Sequence, residues 1–143
     1  MNIDEEKGIA GTDMIIAIIA IIVFSTLIFS LIYNNSFENI KLNQENLAML
    51  YLIQIFENIG IEDYDNIEVG EYLDIGKYNY PEKIENLVPE EAKKNFKIDI
   101  LVNDPFNENN DYDYIIKKIV AKISYAIADK EYNLEMERIK IKE

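Results

Sequence analysis

From Met14 to Phe37 the chain carries no charged residue, and most of its side chains there are Ile, Leu, Val or Phe. Each such residue favours lipid by about 0.3 to 0.6 kcal/mol at a helix centre, so the run as a whole gains roughly 4 to 8 kcal/mol. About 20 residues at about 1.5 Å rise span a hydrocarbon core of roughly 30 Å, and the pattern therefore predicts a transmembrane helix over 14–36. A buried core helix seldom stays apolar on every face. The stretch SLIYNNSF at its end lacks the small-x-small site of a cleaved secretory signal. Beyond the run, Leu42, Met49, Leu52, Phe56 and Ile59 recur at helical spacing, with Ala48, Ile53 and Ile55 beside them. No Pro or Gly interrupts Met14 to Ile59, and Gly60 is a natural stop. One long helix is expected over 9–59, its second half (37–59) turning the stripe Leu42–Met49–Leu52–Phe56–Ile59 towards a core.

Residues 60–143 change period. Gly60 to Tyr80 is acidic, Tyr-rich and broken by glycines, which predicts a long loop with one short strand near Tyr72–Ile75. Val88-Pro89-Glu90-Glu91-Ala92-Lys93-Lys94 predicts a short helix, with Pro in its first turn and Lys at its end. Phe96 to Val102 alternates and stops at Asn103-Asp104-Pro105, as a strand entering a turn does. Ile115 to Ile127 is the clearest strand: Ile115, Ile119, Ala121, Ile123, Tyr125 and Ile127 share one face with Lys117. Asp129-Lys130-Glu131 turns the chain, and Leu134 to Ile141 returns. Three or four antiparallel strands packed on the exposed half of a long helix make an α+β head over 60–143.

Charge and composition narrow the chemistry. Lys and Arg number 14 against 27 Asp and Glu, a net of −13, so a broad basic nucleic-acid surface is excluded as a first reading. The absence of Cys and His removes disulfides, thiolate or imidazole metal sites, and the Ser-His-Asp and Cys-His constellations. Outside the apolar stretch and its borders, Ser124 is the sole Ser or Thr. No catalytic residue is assigned, and a non-enzymatic role without a cofactor is expected.

The segment before the apolar run reads Glu6-Lys7-Gly8-Ile9-Ala10-Gly11-Thr12-Asp13-Met14. It resembles the class III signal of type IV prepilins and type II secretion pseudopilins. The resemblance implies a cleaved leader (1–8), a cut after Gly8 beside Lys7, N-methylation of Ile9, and an acidic residue, Asp13, fifth in the mature chain. It also implies a pilin-like fold and a subunit that reaches the surface by assembly. Asp13 stands where that family usually has Glu, Ile9 where Phe or Met is common, and Ser30 where a helix-kinking Pro is frequent. The C-terminal Cys pair of many major pilins is absent. These departures favour a minor pilin over the major one.

A carboxylate at the edge of a membrane helix needs a partner. After cleavage the Ile9 amine could supply it through a charge-assisted hydrogen bond. In the family that bond runs between neighbouring subunits and sets their register. The plainer alternative is that Thr12 or Asp13 caps the helix at the water interface. The partners expected are other pilin subunits along the helix, a prepilin peptidase, an assembly ATPase and inner-membrane platform, and membrane lipid before assembly. The location expected is the cytoplasmic membrane with the head outside, then a filament. Charge counts on the two sides of the span do not fix its orientation. The alternative reading is an unprocessed single-pass protein whose acidic outer domain binds a ligand or partner.

Two acidic clusters are oxygen-rich, as calcium ligands are: Glu62, Asp63, Asp65 and Glu68, and the stretch 107–113 with Asn109, Asp111 and Asp113. Tyr114 replaces the Gly of a calcium loop and Val120 its closing Glu, so solvated turns are expected at both. Tyr64, Tyr72, Tyr78, Tyr80, Tyr112 and Tyr114 are expected to pack over a small sheet rather than to form an adhesive surface.

Overall fold

A computed structural model describes residues 3–105 and 116–142, with side chains inside the first helix from Thr12 onward. The chain divides into two compact units, residues 1–40 and 41–143. Helix α1 (Ile3–Ile61) runs through the first and supplies the leading element of the second. Within residues 41–143 the elements that follow are β1 (Gly70–Tyr72), α2 (Glu82–Glu85), α3 (Glu90–Asn95), β2 (Lys97–Asn103), β3 (Ile116–Ile127) and β4 (Lys130–Ile141). The strands form one antiparallel sheet in the order β1-β2-β3-β4, each paired with its neighbour in sequence. This is the expected α+β, pilin-like arrangement: a long N-terminal helix, then a small open sheet.

The core of the head forms where two periodicities meet. On α1, Ala48, Tyr51, Leu52, Ile55, Phe56 and Ile59 are buried, a stripe spaced 3, 1, 3, 1 and 3. They lie against the alternate residues of β2 (Ile98, Ile100, Val102) and β3 (Ile119, Ala121, Ile123), all fully buried. This corrects the expected stripe at two positions. Leu42 is 53% exposed and Met49 42% exposed, because the face that meets the sheet runs through Ala48 and Ile55 instead. At about 100° per residue, Met49 is rotated off a stripe centred on Leu52 and Ile55. Ile53 is exposed as well.

Strand β3 matches its expected faces from Lys117 onward, while Ile115 lies outside the described residues. Strand β4 is longer than expected and begins at Lys130, opposite Ile127. The connection is a two-residue hairpin, with Ala128 and Asp129 both at positive φ, as a type I′ turn requires. Strand β1 is Gly70–Tyr72 rather than Tyr72–Ile75, since Asp74 takes a left-handed φ of 52° and turns the chain. Ile75 nevertheless donates its amide to the Ile98 carbonyl, 2.8 Å away. Gly76 closes this turn at φ 105°, where an added Cβ would stand 2.9 Å from Lys93 Cβ, so only glycine fits. The single-turn helix α2, entered from Pro81, was not anticipated.

Candidate membrane segment and head

Lys7, Gly8 and Ile9 belong to the first turns of α1, ahead of the described side chains. Ile9 and Asp13 are four residues apart along that helix. Asp13 is exposed. From Met14 to Tyr33 the large apolar side chains are exposed all round the helix, with Met14 at 67% and Phe29 at 72%. Such a surface needs lipid or other apolar helices around it, because a soluble monomer seldom leaves so large a patch bare. The polar groups within it are compatible with that setting. The helix satisfies its own backbone, and Thr26 Oγ1 donates to the Val23 carbonyl at 2.8 Å. Thr12–Ile61 contains one candidate single membrane span, near the N-terminus.

At the other end of α1 the last carbonyls would be orphaned, and the helix has no basic residue in its last turn. Cations from β4 fill that role. Arg138 Nη1 donates to the Phe56 carbonyl at 2.8 Å, and Lys140 Nζ to the Ile59 carbonyl at 2.6 Å and to the Glu62 carbonyl. Each positive charge also sits at the negative end of the helix dipole. One strand over, Lys117 Nζ donates to the carbonyls of Tyr64 and Ile67 at 2.7 and 2.6 Å and lies 4.0 Å from the Tyr64 ring centroid. Burial pulls this amine below its usual range, with the Asp65 carboxylate pulling the other way.

Two of these cations, Lys140 and Lys117, therefore hold the acidic stretch Glu62–Glu68 by its backbone. Lys142 adds an ion pair to Asp65 at 2.9 Å, and Lys83 donates to Asn66 at 2.5 Å. Among the described residues no group of three or more acidic side chains is placed to hold a metal ion. Asn109, Asp111 and Asp113 lie outside the described residues. A polar groove of about 650 Å³ between the end of α1 and β4 is lined by Arg138, Lys140 and Lys142, which are already engaged.

Of the loop tyrosines, Tyr72 is buried edge-on to Tyr80 at 5.5 Å, and its hydroxyl donates to the Glu68 carbonyl. Tyr80 accepts from the Leu73 amide and donates to the Leu73 carbonyl. These pack over the sheet, whereas Tyr78 is exposed; Tyr112 and Tyr114 lie outside the described residues. The roles of Arg138 and Lys140 were missed from sequence. The available signal was their even spacing with Leu134 and Met136, which puts them on the inner face of β4. No protein-family model, curated protein or solved structure matches this chain.

Proposed function

We propose that this protein is a minor pilin or pseudopilin, a structural subunit of a type IV pilus or a related secretion or uptake filament. The observation that carries the reading is the order Lys7-Gly8, Ile9, Asp13, directly before the charge-free run that begins at Met14. A candidate span followed by an α+β head supports it. In this role a prepilin peptidase removes residues 1–8 and methylates Ile9. The apolar helix holds the subunit in the cytoplasmic membrane, its head outside. An assembly platform and its ATPase then draw it into the filament, where lipid around the helix is exchanged for the helices of other subunits. Asp13 answers the Ile9 amine of a neighbour.

Co-expression with a prepilin peptidase tests this directly. Intact-mass measurement is expected to show loss of MNIDEEKG and a methylated Ile9 at the new N-terminus. A full-length chain in the presence of a competent peptidase overturns the reading and leaves in its place the unprocessed single-pass protein whose acidic outer domain binds a ligand or partner.

A further inference from the structure

The bond assigned to the peptidase lies inside α1, which is continuous from Ile3 to Ile61. In an α-helix the Gly8 carbonyl accepts a hydrogen bond from the Thr12 amide, closing a turn around Ile9, Ala10 and Gly11. Hydrolysis breaks the C–N bond between Gly8 and Ile9. Water gives its hydroxyl to the Gly8 carbonyl carbon and a proton to the Ile9 nitrogen. A carbonyl held within a helical turn is shielded from that attack, so the turn has to open first.

The sequence weakens the helix at this place. Gly8 and Gly11 bracket the bond, while Thr12 to Ile59 contains neither Gly nor Pro. Glycine disfavours helix more than any residue except proline, because its unfolded backbone has the most freedom to lose. From Met14 the helix enters its charge-free apolar run, where lipid leaves backbone groups no partner except one another. Opening is therefore cheapest at Gly8–Gly11 and is stopped at the apolar run.

We propose that Gly11 is a positioning residue for processing: it lets the turn across Gly8–Ile9 unwind for the peptidase while the helix beyond stays intact. This rests on the cleavage assigned above, but not on the Lys7-Gly8 recognition step, from which Gly11 is separate. The test follows cleavage of the full-length chain in membranes by intact mass over time, for wild type, Gly11→Asn and Gly11→Ala. Gly11→Ala is expected to be cut about fivefold more slowly, the gap in helix propensity between the two residues. Gly11→Asn should fall between them, although Asn is the larger side chain, and the cut should stay after Gly8 throughout. Amide exchange at residues 8–12 of the uncut chain, without peptidase, should slow in Gly11→Ala. Equal rates, rates ordered by side-chain size, or unchanged exchange overturn the role of Gly11 while leaving the pilin reading intact. An uncut wild type overturns both.

Discussion

Lys117 and Lys140 stand directly opposite one another on β3 and β4, an arrangement that on its own repels. It is tolerated because each amine turns to backbone carbonyls, at the end of α1 and in the loop after it. Lys140→Met should therefore destabilise the head by about 1–3 kcal/mol, since it leaves the Ile59 and Glu62 carbonyls without this donor. Urea unfolding of residues 37–143 measures it. Lys117, only 8% exposed, gives a pH signature. Its folded pKa lies below the unfolded value of 10.5, so the unfolded chain holds the proton to higher pH. Stability relative to Lys117→Met should then rise as pH climbs through the interval below 10.5, and the gain should be missing at neutral pH. Burial shifts Tyr64, Tyr72 and Tyr125 upward, so above pH 10 they work in the opposite direction. A comparison at pH 8 and pH 9.5 isolates the lysine. Lys117 was visible in the sequence as the one charge on an apolar strand face. Its partners were not, because they are carbonyls 50 and 53 residues away.

At the scale of elements, legibility followed the number of repeats each pattern offers. The 12 residues of β3 show several cycles of alternation, and their buried face was evident. Strand β1, with three residues, offers no full cycle; its position was set instead by the left-handed Asp74 and by pairing with β2. The second half of α1 has apolar residues on more than one face, so periodicity alone admitted two stripes and the sheet selected one. Substitution separates them. Ile55→Ala is expected to cost residues 37–143 about 2–5 kcal/mol, the usual range for emptying a fully buried aliphatic position. Met49→Ala should stay within about 0.5 kcal/mol, as surface changes do. Equal losses at the two positions would mean that the helix packs on its sheet by another face. In both variants the fragment should still unfold in one cooperative transition, which circular dichroism follows.

For the whole molecule, the order of segments was legible: a short charged N-terminal stretch, a charge-free run, then a region with both helical and strand periodicity. What the charge pattern cannot supply is a neighbour, and the proposed role of Asp13 depends on one. Asp13 sits at the edge of the apolar run and is exposed. Removing its charge only eases partition into lipid, so Asp13→Ala should insert into the membrane as wild type does. In the proposed role Lys7, Gly8 and the apolar run define the cut, so cleavage should survive too. Incorporation into filaments should fall sharply, because the Ile9 amine of a neighbour would enter an apolar bundle without its counter-ion, a loss of several kcal/mol when fully desolvated. Asp13→Glu keeps the carboxylate and should assemble nearly as well as wild type. The measurement is the ratio of subunit in sheared filaments to subunit left in membranes, for the two variants against wild type. Full assembly of Asp13→Ala would reduce Asp13 to a cap on the first turn of the helix, where its charge serves only the dipole.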